Sequence, residues 1–127
     1  MHPNAAWLTE LDDRFDAGDM EGYFASFADD VVVHVAGKSS IGGLARGKVA
    51  MAQVFTRFNE RSGEMRFQRH AVLADDSHGV LLWRVSLARE DASFEGTETM
   101  VVHISGGVVT EAWIDFEDRY EFDEFIA

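Results

Sequence analysis

The chain has 127 residues, with 11 basic and 23 acidic side chains that give a formal net charge of −12, and it contains no cysteine. This length suits one domain, spanning residues 1–127, while the negative charge argues against nucleic-acid binding and the missing cysteine excludes disulfides and thiolate metal sites. No apolar run approaches the ~20 residues of a membrane span and the N-terminus shows no signal-peptide pattern, so we expect a cytoplasmic protein without membrane contact.

Hydrophobic spacing predicts two amphipathic helices near the N-terminus. Apolar residues from Trp7 to Phe15 recur at the period of a helix that packs on one face. Gly18 suits the C-cap of this helix, and Asp19 suits the N-cap of the next one. The apolar stripe of the second, short helix consists of Met20, Tyr23, Phe24 and Phe27.

A strand, a loop and a third helix are predicted next. The β-branched run Val31–Val35 favours a strand, which only His34 interrupts. The segment Ala36–Gly47 holds four glycines and two serines, and this composition predicts a long loop at the rim of the domain. Helical spacing returns at Val49 to Phe58 and ends near Gly63.

From Met65 onward the apolar period changes to two, which predicts four antiparallel strands joined by short turns. The strands are Met65–Leu73, Val80–Ala88, Phe94–Ile104 and Val108–Phe116. The tail Asp118–Ile126 is expected to form a last helical turn or two. The pattern predicts an α+β fold, in which a strongly twisted sheet packs on three helices and leaves a hollow at one end.

The segments Phe15–Tyr23, Phe27–Val35, Gly43–Lys48 and Gly107–Trp113 carry further information. They resemble the nuclear transport factor 2-like superfamily, and within it the SnoaL-like branch, over nearly the whole chain. The resemblance implies a cone-shaped α+β barrel, with three N-terminal helices packed on a strongly curved mixed or antiparallel sheet. It does not imply a single activity, because this fold hosts isomerases, cyclases, hydrolases and binding proteins.

Two enzyme groups of this superfamily can be compared residue by residue. The resemblance implies that the base of ketosteroid isomerases would stand at Val35 and their oxyanion-hole tyrosine near Leu11, and neither residue present supplies that chemistry. The polyketide cyclases are more similar. Their acid/base carboxylate corresponds to Asp115, with Asp118 as a competing position, and their histidine corresponds to His103.

The candidate catalytic residues are therefore His34, His103 and Asp115, since histidine titrates near neutrality and a buried carboxyl gains a useful pKa. Asp115 shares a strand face with Trp113, and this face points either into the mouth of the cone or to solvent. His103 and Glu98 lie on opposite faces of the same predicted strand. Either of these two faces lines the cavity.

Apolar and aromatic side chains are the predicted ligand contacts, because small-molecule sites are mostly apolar with a few polar groups. They are Trp7, Leu11, Phe24, Phe55, Trp83, Met100 and Trp113. The predicted function is acid/base chemistry (cyclase, isomerase or lyase) on a hydrophobic carbonyl compound, without cofactor or bound metal. The alternative is a non-catalytic binding domain for an apolar ligand.

The alternation along the second strand of the meander predicts a partner as well. Leu81, Trp83, Val85 and Leu87 make one face of this strand apolar, whereas the other face is mixed. Such a face suits a sheet interface, so we expect a homodimer formed through the sheet.

Overall fold

The computed structural model describes residues 1–127 as four helices and one six-stranded sheet. The helices are α1 (Pro3–Asp16), α2 (Met20–Ala25), α3 (Gly47–Ser62) and α4 (Arg119–Ile126). The strands are β1 (Phe27–Val35), β2 (Gly43–Arg46), β3 (Glu64–Ala74), β4 (His78–Arg89), β5 (Ala92–Ser105) and β6 (Val108–Glu117). None of the helices has the length and apolar character that crossing a membrane requires.

The strands follow the order β2-β1-β6-β5-β4-β3, and every neighbouring pair is antiparallel except β1 and β6, which are parallel. The predicted α+β fold, with helices packed on a curved mixed sheet, is confirmed. The sheet is not closed, because β2 and β3 are its two free edges.

Three local predictions need correction. The segment predicted as a loop, Ala36–Gly47, contains the edge strand β2, whose four residues pair with the end of β1. Helix α2 ends at Ala25, since Phe27 already pairs with Val109 of β6 and starts β1. The C-terminal tail forms the eight-residue helix α4 rather than a turn or two.

The core lies between the helices and one face of the sheet, which we call the inner face. Along β4 the inner residues are Leu81, Trp83, Val85 and Leu87, each at most 7% exposed. Because strand side chains alternate, Leu82 and Arg84 point to the outer face. The apolar face of β4 therefore belongs to the core, and a homodimer through the sheet would use the mixed outer face.

Arg89 and Phe122 hold α4 against the rest of the domain. Arg89 Nη1 donates hydrogen bonds of 2.6 Å to the carbonyl oxygens of Arg61 and Phe125, and its guanidinium lies 4.3 Å from the centre of the Phe125 ring. The ring of Phe122 stacks on Phe116 of β6 at a centroid distance of 3.8 Å. Helix α4 thus supports β6 directly behind a residue that lines the cavity described next.

Candidate functional site

A cavity lies between the inner face of the sheet and helices α1, α2 and α3, with about 690 Å³ of empty space counted out to its open mouth. Twelve of its fifteen lining residues are hydrophobic, so the groups able to orient a ligand are the polar residues Asp12, Asn59 and Glu98 and the hydroxyl of Tyr23. The hydrophobic lining residues are Phe15, Tyr23, Val35, Ile41, Val54, Phe55, Phe58, Phe67, Trp83, Met100, Ile114 and Phe116.

Aromatic rings surround the mouth of this cavity. Asn59 of α3 is the exposed lining residue, which places the opening beside it. Around it stand four half-buried rings, here called the phenylalanine collar: Phe15, Phe55, Phe58 and Phe67. Their centroids are 6.3 Å apart for Phe15–Phe55, 5.8 Å for Phe15–Phe67 and 6.3 Å for Phe58–Phe67. These are distances of rings in direct contact, so a ligand at the mouth meets a continuous apolar surface.

Deeper in the sheet, one row of inner-face residues crosses three strands in register. Arg69 of β3 lies opposite Trp83 of β4, which in turn lies opposite Glu98 of β5. The register of β3 shifts directly after Arg69, with His70 as the extra residue of a bulge. This bulge allows both Arg69 and, further along, Val72 to pair with inner-face residues of β4.

The carboxylate of Asp12 connects this row to α1. Trp83 Nε1 donates a hydrogen bond of 3.0 Å to Asp12 Oδ1, and Arg69 Nη1 donates one of 2.9 Å to Oδ2. Arg69 Nη1 also lies 2.9 Å from Oδ1 of the exposed Asp13. Asp12 is only 3% exposed, so the indole and the guanidinium supply the partners that a buried carboxylate requires.

Glu98 and Tyr23 in the wall, like Asn59 at the mouth, have polar side-chain atoms that make no hydrogen bond within the chain. Burial, with a smaller contribution from the Asp12 carboxylate, raises the pKa of Glu98 to about 8. Tyr23 is 5% exposed, and burial followed by the charges of Glu98 and Asp12 raises the pKa of its phenol well above the ordinary value. The cavity thus contains a carboxyl that exchanges protons near neutral pH, close to a phenol that remains a donor.

The predicted ligand contacts are divided between three places in the structure. The cavity wall contains Phe55, Trp83 and Met100. The core behind the wall contains Trp7, Leu11 and Phe24. Trp113 lies on the outer face of the sheet and is 39% exposed.

The candidate catalytic residues lie outside the cavity, on the outer face. His34 stacks on Trp113 with ring centroids 5.3 Å apart, and His34 Nε2 lies 2.6 Å from Glu111 Oε2. Asp115 points to solvent and forms an ion pair of 3.0 Å with Arg119. Of the two directions left open for Asp115, the structure shows the solvent-facing one, because the opposite face of β6 is needed for the core.

The structure brings only part of that predicted set together. His34, Trp113 and Asp115 line one shallow depression of the outer face, and His103 is not among its residues. His103 Nδ1 instead shares a hydrogen bond of 2.8 Å with Thr110 Oγ1, and the His103 ring packs against the ring of His78. Asp118 is exposed and directly precedes α4. No group of three or more His, Asp or Glu side chains is positioned to hold a metal ion.

The sequence did contain signals for two residues that were not selected. Asp12 follows Leu8 by four positions and precedes Phe15 by three, which places it on the buried face of α1. Glu98 alternates with Met100 and Val102, which form an apolar strand face. A carboxylate on an apolar face is the informative pattern, because such a group needs either a partner or a function.

This arrangement of sheet, helices and cavity agrees with the comparison to protein families. The SnoaL-like domain matches residues 8–112, which is most of the chain. The chain belongs to the SnoaL-like family. This SnoaL-like protein accordingly has the nuclear transport factor 2-like fold that its sequence resembles. No curated protein matches it.

Solved structures with the same fold are numerous. Bal32a, from a soil-derived mobile gene cassette, is 25% identical with a TM-score of 0.88, over 98% of this chain and 96% of that one. An NTF2-like protein of unknown function from Burkholderia pseudomallei is 18% identical with a TM-score of 0.87, over 100% and 99%. TerC, co-crystallised with polyporic acid, is 18% identical with a TM-score of 0.83, over 98% of both chains. At these identities the last two likenesses concern the fold alone.

Proposed function

We propose that this SnoaL-like protein is a cofactor-independent acid/base enzyme that acts on a hydrophobic carbonyl compound, and that Glu98 is its proton carrier. The observation that carries the proposal is the half-buried Glu98 carboxyl, which makes no hydrogen bond within the chain, lines an apolar cavity and has a pKa raised to about 8. A carboxyl with a pKa near the working pH is suited to general acid/base catalysis.

The proposed reaction begins when the Glu98 carboxylate takes a proton from the carbon next to the substrate carbonyl. The electrons of the broken C–H bond move onto the carbonyl oxygen, and the Tyr23 hydroxyl donates a hydrogen bond to the resulting enolate. Protonated Glu98 then returns its proton to another carbon in an isomerisation, to the new alkoxide in a cyclisation, or to a leaving group in an elimination.

The aromatic wall fits this substrate class. Rings of the collar and of Trp83 offer flat apolar surface, whereas polar groups are few. Membership of the SnoaL-like family supports a ligand-binding pocket in general terms. TerC, a protein of the same fold, was crystallised with polyporic acid, which is consistent with an organic ligand held in this type of cone.

The direct test is deuterium exchange into 2-tetralone, a flat ketone with acidic C–H bonds, followed by proton NMR. We expect the protein to accelerate exchange, with a rate that rises with pH and levels off above about pH 8. Glu98→Gln should lower this rate by a factor of about 10² or more, and Tyr23→Phe should slow it with the pH midpoint retained.

A matched control is Glu95→Gln, which changes an exposed carboxyl on the outer side of the same strand. Loss of exchange in Asp115→Asn with full exchange in Glu98→Gln would overturn the assignment and place the chemistry on the outer face. If 2-tetralone binds but no variant or wild-type protein exchanges its protons, the non-catalytic alternative is favoured: a binding domain for an apolar ligand.

A further inference from the structure

The charges around the cavity are arranged unequally. Two carboxyl groups, Asp12 and Glu98, contribute to its lining, but no lysine, arginine or histidine does. Arg69 does not line the cavity, and its Nη1 pairs with both Asp12 and Asp13. One guanidinium against two carboxylates leaves this group with a net negative charge, and a bound molecule meets no cation in the cavity lining.

An anion in this cavity would be strongly disfavoured. It would lose its hydration in an apolar cavity and would lie near the fixed Asp12 carboxylate, and both effects oppose a negative charge. An uncharged carbonyl oxygen meets neither cost. It can instead accept hydrogen bonds from the Tyr23 hydroxyl, which is 5% exposed and has no partner in the chain, and from Glu98 in its protonated form.

We propose that Asp12 makes the cavity a charge filter, so that its substrates are flat, uncharged carbonyl compounds and their carboxylate counterparts are rejected. This inference rests on the proposed function, because it assumes that the ligand occupies the cavity of Glu98. It adds a specificity-determining residue to that site. Asp12 acts through its charge, and the ion pair with Arg69 keeps that charge in place without presenting a cation to the ligand.

The phenylalanine collar supports the same substrate class. Its four rings contact one another at centroid distances of 5.8–6.3 Å, so they line the mouth with continuous hydrocarbon surface, which suits an apolar ligand and not an anion. Asn59 is the exposed polar residue of the cavity lining, and it is uncharged. No lysine, arginine or histidine is among the lining residues.

The test compares two ligands of one carbon skeleton, 2-tetralone and 1,2,3,4-tetrahydro-2-naphthoate, by equilibrium dialysis at pH 7 without any turnover measurement. We expect the ketone to bind about tenfold or more tightly than the carboxylate. Equal affinity, or tighter binding of the carboxylate, overturns the charge filter. Binding of neither probe overturns the assignment of flat bicyclic carbonyl compounds as the ligand class.

A pair of variants then tests the role of Asp12. Asp12→Asn should narrow the difference between the two ligands, because it removes the fixed charge while its amide oxygen still accepts from Trp83. Asp13→Asn is the matched control: Asp13 is the neighbouring partner of Arg69 but does not line the cavity. A similar loss of selectivity in both variants would show a general electrostatic effect and contradict the filter.

The wild-type comparison stands even if Asp12→Asn fails to fold. The result is also separate from the proposed reaction. Selective binding without deuterium exchange would support the charge filter and contradict the proposed reaction. Deuterium exchange without selective binding would support the reaction and contradict the filter.

Discussion

Trp83 donates its indole N–H to Asp12 Oδ1 over 3.0 Å and so joins the centre of the sheet to helix α1 in the wall of the cavity. Phenylalanine at position 83 would keep most of the packing but leave one oxygen of a buried carboxylate without its donor. We expect Trp83→Phe to lower the free energy of unfolding by about 1–3 kcal/mol. Urea unfolding measures this loss. Trp113→Phe is the control, since Trp113 is 39% exposed and makes no such hydrogen bond, and equal stability of the two variants would contradict the role of the Asp12 contact.

The ion pair of Arg69 gives a second prediction about stability. Arg69→Met leaves the buried Asp12 carboxylate without its cation, whose own side chain is 33% exposed and therefore partly screened. We expect Arg69→Met to lower the free energy of unfolding by about 1–3 kcal/mol. The same substitution should cost less in a chain that already carries Asp12→Asn. Arg66→Met changes an exposed arginine of the same strand and should fall within about 0.5 kcal/mol of the wild type. A double-mutant cycle without coupling between positions 12 and 69 would refute the stabilising role of the Asp12–Arg69 ion pair.

The pKa of Glu98 predicts how stability depends on pH. Its value of about 8 in the folded chain lies above the ordinary 4.5, so between these pH values the folded chain holds a proton that the unfolded chain has released. Glu98 therefore destabilises the fold progressively as pH rises from about 4.5 to 8, by an amount on the order of a few kcal/mol.

The measurement is the difference in unfolding free energy between Glu98→Gln and the wild type across that pH range. Glutamine does not titrate, so the variant should gain on the wild type as pH rises. Taking the difference cancels the other carboxyl groups, which titrate in both proteins. Glu95 is exposed, so the difference in unfolding free energy between Glu95→Gln and the wild type should not change with pH. A flat difference for Glu98→Gln as well would show that the carboxyl is hydrated in the folded state.

The sequence predicted the class of fold and most elements, because their signals are local. Apolar periods of 3.6 and two distinguish α1 and α3 from β4, β5 and β6, and short polar or glycine-containing turns separate the strands. The strand β2 was missed for the opposite reason. Its four residues have little apolar pattern of their own and become a strand only by pairing with the end of β1.

The direction of side chains was harder to predict than the position of strands. On β3, strict alternation would place Arg69 on the face opposite Val72, whereas the bulge at His70 brings both to the inner face. On β6, alternation correctly separates Ala112, Ile114 and Phe116 from Trp113 and Asp115, but it does not say which set meets the helices. That choice is made by tertiary packing, and it moved the candidate site from Asp115 to Glu98.

The outer face leads to a final prediction, on self-association. One row of residues crosses all six strands there in register: Leu44, His34, Trp113, Val101, Val80 and Leu73. Leu44, Leu73 and Trp113 are 50%, 60% and 39% exposed, so the row is an apolar stripe open to solvent. The homodimer predicted from the sequence would bury this stripe against its copy.

Sedimentation velocity over a range of protein concentrations checks this, with Trp113→Asp as the variant. A charge at the centre of the stripe would be buried without a partner in the dimer, so the variant should dissociate at concentrations where the wild type is dimeric. Val49→Asp is the control, because Val49 is an equally apolar and 76% exposed residue that lies on α3, away from the sheet. A wild type that sediments as a monomer throughout, or equal dissociation by both variants, would exclude a dimer formed through this face.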